Sequence, residues 1–384
     1  MMLDTNKVTC DCGSNDAVNM NYKPVGSENK TRLYFCNDCN SILSKQQTNI
    51  IRSRKQRISC DANWGNIRHG KGARLKKNVS FFKDVIPKSY FSNVLDIGSN
   101  RGHFINWLIN NHDPANIHAI ESDVIIYKET PLPTYVKYIN NRFENYEYEH
   151  NKFSFIYNSH TLEHLENPYT MLKKCHRILM DNGYMFLEVP NTEIIEDKDN
   201  LEEYFIDKHN YHFFLNGLRL KLNQIGFDII KESLNNKYNI SFVVKKNKNI
   251  IKDIGKSKNN IQEHLKSIKN YEISLKENRK KLKEICKKIN NLCSRQKVVI
   301  WGCSRILDAA LKYGALEKSN IQFIIDNNIS NILSEINGLK VFNSSILHEK
   351  DIDVVIIMAR SSKNEIIESA RSFGIRHVFT MDQF

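Results

Sequence analysis

The sequence lacks any apolar run of about 20 residues, the length that a helix needs to span a bilayer. Its first residues, MMLDTNKVTCDCGS, also lack the charged and then apolar pattern of a secretory signal peptide. We therefore expect a cytoplasmic protein that has no membrane partner. Thiols stay reduced in the cytoplasm, so neighbouring cysteines are expected to bind metal before they form disulfides.

The charge balance is basic, with a formal net charge of +13. Most of the excess lies in one Lys- and Asn-rich stretch between positions 231 and 296. That stretch shows no aromatic interleaving on which bases would stack. We therefore favour a solvated helical face over a grip on a phosphate backbone, and nucleic acid remains the second choice of partner.

Composition divides the 384 residues into four segments. The first is polar and cysteine-rich, the second and fourth alternate apolar runs with helical patterns, and the third is basic with apolar residues at helical spacing. The predicted domains are a zinc-binding module at 1–62, a catalytic α/β domain at 63–245, a basic helical linker at 246–296 and a second α/β domain at 297–384.

The N-terminal cysteines form two close pairs, Cys10 with Cys12 and Cys36 with Cys39. Two close pairs separated by a short stretch are typical of a four-thiolate tetrahedral zinc site, which stabilises a segment too small to bury a core. The first pair has one intervening residue where two are usual, and Cys60 is an alternative ligand. Four protein ligands leave no open position, so we expect a structural site.

A glycine-containing turn follows an apolar stretch at 93–97 and leads into an apolar-periodic helix. Gly98 and Gly102 allow the backbone to approach a ligand, but the G-x-G-x-x-G pattern of dinucleotide binding is missing. Asp96 instead suits the cationic end of S-adenosylmethionine. A second apolar stretch ends in Glu121, and an acid at that position hydrogen-bonds ribose hydroxyls.

Three features resemble a known family. The stretch 96–102 reads D-I-G-S-N-R-G, close to "E-I-G-S-N-D-G", and 158–168 with 179–191 resembles a fourth strand, helix and fifth strand. Together with the domain layout, they make the chain similar to class I S-adenosylmethionine-dependent methyltransferases, and within them to the sugar methyltransferase group that includes sugar C-methyltransferases. The resemblance implies a Rossmann-like α/β catalytic domain flanked by a zinc module and a second Rossmann-like domain, with S-adenosylmethionine and structural zinc as cofactors.

The resemblance also implies a small-molecule acceptor, a nucleotide-linked sugar or a precursor of surface polysaccharide. His164 falls where sugar C-methyltransferases keep an active-site histidine, and histidine is the natural general base at neutral pH. His209 matches the last histidine of the group's "Y-H-E-H" passage, but Asp207 and Lys208 replace the two residues before it. Methylation of oxygen is therefore at least as well supported as methylation of carbon, and an RNA methyltransferase is the alternative.

The candidate site residues fall into three sets. The catalytic candidates are His164, His209 and Tyr211. The cofactor-binding candidates are Asp96, Gly98, Ser99, Asn100, Gly102, Glu121, Ser159 and His160. The metal candidates are Cys10, Cys12, Cys36 and Cys39. The fourth segment has a single glycine, Gly302, in its first turn, so we expect it to wall a substrate cleft rather than to bind a second cofactor.

Overall fold

A computed structural model describes residues 8–23, 31–46, 73–196, 200–201, 203–205, 209–235, 238–247, 261–331, 333–359 and 363–384. Cys60, Asp207 and Lys208, which the sequence singles out, lie outside the described residues. The chain forms two compact units, which divide between Asn270 and Tyr271, with the short stretch 200–203 belonging to the second. Across the described ranges, no helix is long and apolar enough to cross a bilayer.

The cysteine-rich segment forms a small antiparallel sheet in the first unit. Its strands are β1 (Ala17–Asn19), β2 (Thr31–Cys36), β3 (Ser41–Gln46) and β9 (Tyr211–Phe213), in the order β1-β2-β3-β9. β9 comes from the segment predicted to be the catalytic domain, and it pairs with β3 from Ser41 to Leu43. The two segments that the sequence analysis separated at residue 62 therefore share a sheet and one compact unit.

A seven-stranded sheet forms the centre of the first unit. Its strands are β4 (Asn93–Ile97), β5 (Asn116–Glu121), β6 (Lys137–Asn140), β7 (Phe153–Ser159), β8 (Leu179–Pro190), β10 (Phe227–Asn235) and β11 (Asn239–Lys246). The order is β10-β11-β8-β7-β4-β5-β6, and only β11 is antiparallel to its neighbours. The carboxyl ends of β4, β5, β7 and β8 therefore meet at one edge, where ligands bind in open α/β sheets.

The helices of the first unit alternate with these strands, as the apolar periodicity predicts. They are α1 (Ala73–Phe82), α2 (His103–Asn111), α3 (Val124–Glu129), α4 (Pro168–Ile178) and α5 (Leu215–Ile225), and the long α6 (Ile261–Cys293) begins in this unit. α2 buries Phe104, Ile105 and Leu108, which lie on one face at helical spacing.

Hydrophobic clusters lie on both faces of the large sheet. Along β4, Leu95 and Ile97 belong to one cluster while Val94 belongs to the other, because successive side chains of a strand point to opposite faces. The same alternation divides Ile156 from Phe155 in β7. Strands buried on both faces read as continuous apolar runs, and the predicted α/β class is confirmed.

The second unit carries its own sheet. Its strands are β12 (Val298–Trp301), β13 (Ile321–Ile325), β14 (Glu335–Ile336), β15 (Leu339–Phe342), β16 (Val354–Ile357) and β17 (His377–Thr380), ordered β14-β15-β13-β12-β16-β17. All pairs are parallel except β14 with β15. That hairpin turns at Asn337 and Gly338, whose φ values of 53° and 81° suit an Asn-Gly turn.

Helices pack against this second sheet. They are α7 (Arg305–Tyr313), α8 (Lys363–Ser372) and the C-terminal part of α6. The helical periodicity predicted for α6 is confirmed. All of its apolar side chains except that of Ile273 are at least partly buried while its lysines stay exposed, which agrees with a solvated basic face. The buried apolar residues are Ile268, Tyr271, Leu275, Leu282, Cys286, Ile289 and Cys293.

Candidate functional site

The four N-terminal cysteines converge in the small sheet. Cys10 Sγ lies 3.6 Å from Cys39 Sγ, and Cys12 Sγ lies 3.6 Å from Cys36 Sγ. Four thiolates at the usual Zn–S distance of about 2.3 Å from one ion are about 3.8 Å apart in a tetrahedron. The donor set, the spacing and the burial of the cluster therefore fit a structural zinc ion.

Tyr211 lies at this cysteine cluster. Its hydroxyl accepts a hydrogen bond of 3.2 Å from the backbone amide of Asp11 and lies 3.9 Å from Cys10 Sγ. Burial, and then the nearby Cys10, raise the pKa of Tyr211. The structure does not bring the Tyr211 hydroxyl together with His164 and His209, the two residues with which the sequence analysis grouped it.

The glycine turn after β4, residues 98–102, is the predicted cofactor loop. Gly98 and Gly102 have φ values of 74° and 66°, which glycine adopts without strain. A Cβ atom at Gly98 would overlap the Thr161 hydroxyl, and one at Gly102 would overlap the Leu132 side chain. Asn100, between the glycines, also has a positive φ of 47°. The loop is therefore closely packed against the segment that follows β7.

Two buried acids flank this loop, as predicted. Asp96 is only 2% exposed, and its Oδ2 atom has no hydrogen-bond partner among the residues that the structure describes. Burial, reinforced by the charge of Glu121, holds the pKa of Asp96 well above its usual range. A carboxyl group in this state would gain from a cationic or hydrogen-bond-donating ligand, so the site fits the amino group of the predicted cofactor.

Glu121 is fixed by the backbone of the same loop. Its two carboxylate oxygens accept hydrogen bonds from the amides of Asn100, at 2.9 Å, and Asp123, at 2.8 Å. Burial raises the pKa of Glu121 while these amide donors lower it. The loop and Glu121 are therefore joined by hydrogen bonds at the edge of the sheet. An acid at this position would meet the ribose hydroxyls of a bound cofactor.

The segment after β7 bends sharply at this edge. Ser159 donates a hydrogen bond of 2.9 Å to Glu188 Oε1, and His160 takes a positive φ of 53°. The Thr161 hydroxyl then donates to the Ile97 carbonyl at 3.2 Å, next to the cofactor loop. A 3₁₀ turn over Leu162–His164 follows. The turn from Thr161 to His164 therefore joins the cofactor loop to the histidines.

Glu163 is the centre of a histidine cluster. Its carboxylate is 1% exposed and lies 3.3 Å from His160 Nδ1 and 3.9 Å from His164 Nε2. The rings of His164 and His209 meet edge to face with centroids 4.8 Å apart. Burial alone would raise the pKa of Glu163, but the contact with His160 and the charges of all three histidines lower it to about 2. The sequence left open whether Glu163 faces solvent, and it does not.

The same cluster has three groups that could ligate a metal. Ligand atoms of Glu163, His164 and His209 lie within 4.8 Å of one another. Nitrogen and oxygen ligands at about 2.1 Å from one zinc ion lie only about 3.4 Å apart in a tetrahedron. The cysteine cluster therefore fits a metal more closely, and the geometry of the histidine cluster suits a carboxylate that orients imidazoles.

Glu188, in β8, is a residue near the candidate site that was not predicted from the sequence. It is fully buried and accepts hydrogen bonds from Ser159 Oγ, from Asn78 Nδ2 at 3.2 Å and from Ser241 Oγ at 3.3 Å. His160 Nε2 also lies 3.6 Å from Glu188 Oε1. The sequence does indicate this residue, because Glu188 is the one charged side chain in the apolar run 184–189. A charge buried in such a strand needs hydrogen-bond partners.

Comparison with known families agrees with this geometry. Residues 67–232 match a family model described as "Methyltransferase domain". Residues 294–378 match a second model, described as "C2185-like, N-terminal". The first match contains the cofactor loop, both acids and the turn to His164, and the prediction of an S-adenosylmethionine-dependent methyltransferase is confirmed. No curated protein shows significant similarity to the chain.

Several solved structures resemble part of the chain. A methyltransferase from Mesorhizobium loti is 11% identical, with 48% of this chain and 98% of that chain covered and a TM-score of 0.37. One from Aquifex aeolicus is 14% identical, covering 47% and 97%, with a TM-score of 0.36. One from Leishmania major is 16% identical, covering 47% and 75%, with a TM-score of 0.39. All three are named as S-adenosylmethionine-dependent methyltransferases, but the family match alone carries the assignment.

Proposed function

We propose that this methyltransferase acts on a hydroxyl group of a sugar, either nucleotide-linked or a precursor of surface polysaccharide. The observation that carries the proposal is the turn from Thr161 to His164, which contacts the cofactor loop at one end and carries the histidine cluster at the other. The similarity of 96–102 and 158–168 to sugar methyltransferases supports the class of acceptor.

The proposed cofactor site lies at the carboxyl ends of β4, β5 and β7. Bound S-adenosylmethionine supplies a methyl group activated by a positively charged sulfur. In this proposal, Asp96 receives the amino group, Glu121 receives ribose hydroxyls, and the loop glycines leave room for the backbone to approach. The complete proposed set is Asp96, Gly98, Ser99, Asn100, Gly102, Glu121, Ser159 and His160.

The proposed role of His164 is to take the proton of the acceptor hydroxyl. Its side chain is 41% exposed, so an acceptor can reach it, and its Nε2 lies 3.9 Å from the buried carboxylate of Glu163. As the O–CH₃ bond forms, the S–CH₃ bond breaks with its electron pair going to sulfur, and the hydroxyl proton passes to the imidazole. His209, whose ring touches that of His164, is the second candidate for this proton.

The cysteine cluster is proposed to hold a structural zinc ion through Cys10, Cys12, Cys36 and Cys39. Four thiolates fill a tetrahedral coordination shell, so this site would have no position left for a substrate. Its contribution would be to the stability of the small sheet. Tyr211, which contacts Cys10, belongs in this proposal to the surroundings of the metal rather than to the reaction.

The test is incubation of the full chain with methyl-labelled S-adenosylmethionine and a panel of nucleotide sugars, with bulk RNA as a control, followed by mass spectrometry. We expect label on a sugar, and fragment masses that place it on oxygen. We expect His164→Ala to lower turnover about 100-fold, the usual scale of general base catalysis. The matched control is His150→Ala, a change at an exposed histidine of the same unit.

Label on RNA alone would overturn the acceptor class and leave the methyltransferase activity in place. Label on a sugar carbon would overturn the hydroxyl as the acceptor atom. If His164→Ala kept the turnover of the parent protein, His164 would not be the general base, and His209 would become the candidate for that role.

A further inference from the structure

The segment from Glu163 to Thr170 carries His164 and leads into α4. Both of its ends are held by residues outside it. Asn210, directly before β9, binds the first end, and Asp11, between two of the cysteines, binds the second. These contacts connect the cysteine-rich part of the first unit to the turn that carries the histidine cluster.

Asn210 makes hydrogen bonds to both sides of this connection. Its backbone amide donates to the Glu163 carbonyl at 2.8 Å, and its Nδ2 donates to the His164 carbonyl at 2.8 Å. Its own carbonyl accepts a hydrogen bond of 2.9 Å from the amide of Ser44, in β3. Asn210 also follows His209 directly, so this one residue fixes the main chain at both histidines of the cluster.

Asp11 caps α4 from more than 150 positions away. Its Oδ2 atom accepts hydrogen bonds from the amides of Tyr169, at 2.7 Å, and Thr170, at 3.0 Å, and its Oδ1 accepts one of 2.8 Å from the Thr170 hydroxyl. The residue at the N-cap position, Asn167, makes no side-chain cap. The first turn of α4 therefore takes its cap from the loop between Cys10 and Cys12, where a carboxylate also complements the helix dipole.

We infer that Asn210 and Asp11 are positioning residues, through which the cysteine-rich sheet fixes the main chain of Glu163 and His164 beside the cofactor loop. The inference rests on the proposed function in one respect, which is that His164 faces the acceptor. By this inference the small sheet positions the proposed base. A metal-binding module with no contact to the turn that carries His164 would not do so.

The expected effect is on turnover more than on cofactor binding. A small misplacement of a catalytic group costs up to about 100-fold in rate, whereas the loss of one hydrogen bond changes the stability of the fold only modestly. The cofactor loop keeps its own contacts, in which the amides of Gly98 and Ser99 donate to the Ile120 carbonyl and the amide of Asn100 donates to Glu121. Loss of an anchor should therefore lower kcat and leave the affinity for S-adenosylmethionine unchanged.

The experiment compares Asn210→Asp and Asp11→Asn in the full chain. The first keeps the shape but removes the Nδ2 donor, and the second keeps the shape but removes the carboxylate. The matched control is Asn110→Asp, an exposed position near the end of α2. The measurements are kcat and KM for the sugar, the Kd of S-adenosylmethionine by calorimetry, and amide hydrogen exchange of the peptide covering 161–170.

For each anchor variant we expect faster exchange in 161–170, a kcat lowered about tenfold or more, and a cofactor Kd within about twofold of the parent protein. Removal of the metal from the parent protein with a zinc chelator should accelerate exchange in the same peptide. Unchanged exchange in both variants, or a kcat equal to that of Asn110→Asp, would overturn the inference. If no sugar is turned over by the parent protein, the proposed acceptor is wrong, while the exchange measurement still tests the anchors.

Discussion

At the scale of single residues, two buried carboxylates near the sheet edge have different neighbours. Glu188 accepts hydrogen bonds from Asn78, Ser159 and Ser241. Glu163 instead lies among imidazoles, with His160 and His164 closest. A buried carboxylate held by hydroxyl and amide donors is a fixed part of the framework, whereas one held by titratable rings can respond when a ring gains a proton. This difference favours Glu163 as the partner of the proposed base.

His118, in β5, gives a prediction about acid stability. Its side chain is 3% exposed and packs between the rings of Tyr148 and Phe153. Burial, and then the charges of Lys137 and Lys152, lower its pKa to about 4. The folded protein therefore keeps His118 neutral while the unfolded chain takes up a proton below about pH 6.5. Stability is lost as the pH falls from about 6.5 towards 4, by about 2 kcal/mol at pH 5.

The measurement is the free energy of unfolding at pH 7 and pH 5 for the parent protein and for His118→Leu. We expect the difference between the two pH values to shrink by about 2 kcal/mol in the variant. His150→Leu, at an exposed histidine, should keep the difference of the parent protein. An equal difference in the parent protein and in His118→Leu would contradict the neutral buried state of His118.

The sequence predicts residue roles best where one short stretch holds the whole motif. Asp96, Gly98 and Gly102 lie within seven positions, and the structure places Asp96 near the end of β4 and both glycines in the turn that follows. Asn210 gave no such signal, because its partners are main-chain carbonyls at 163 and 164, which any residue type supplies. Tyr211 was grouped with the histidines by proximity in sequence, but it lies in β9 with its hydroxyl at Asp11 and Cys10, whereas His209 precedes that strand and contacts His164.

At the scale of elements, the loop between β4 and α2 gives a second prediction. Gly98→Ala would place a Cβ atom against the Thr161 hydroxyl at a φ of 74°, which disfavours alanine. We expect the Kd of S-adenosylmethionine to rise at least about tenfold, because the loop must move to make room for the alanine side chain. The matched control is Gly374→Ala, since Gly374 has a similar φ of 83° with open space around it in the second unit.

Calorimetric titration with S-adenosylmethionine measures this change directly. Gly374→Ala should lose stability through backbone strain yet bind the cofactor with the affinity of the parent protein. A Gly98→Ala variant with unchanged affinity would contradict the assignment of this loop to the cofactor.

Elements were predictable where burial imposes a long pattern. The strands β4, β7 and β12 read as apolar runs because they are buried on both faces, and α6 shows the period of a helix with one buried stripe. β9 has only three residues, and its partners in β3 are distant in sequence, since Tyr211 pairs with Leu43 and Phe213 with Ser41. A strand so short has no period of its own, so its partner cannot be read from composition.

At the scale of the whole molecule, the chain has two compact units with separate cores. The cysteine cluster, the cofactor loop and the histidine cluster all belong to the first unit. Composition placed a boundary after the cysteines because the chain changes from polar to alternating there. Contacts between distant segments, such as those of Asp11 with α4, place the cysteines and the turn before α4 in the same unit.

Removal of the metal should therefore affect one unit and not the other. Separate cores predict two calorimetric transitions for the full chain, and loss of a structural zinc ion should lower only the transition of the first unit, by several kcal/mol. Cys36→Ser should have the same effect and should abolish zinc uptake. The reciprocal control is Cys293→Ser, at a buried cysteine of the second unit, which should lower only the other transition and leave zinc uptake unchanged. A chelator that shifts neither transition would contradict a structural metal, and one that shifts both equally would contradict the independence of the two cores.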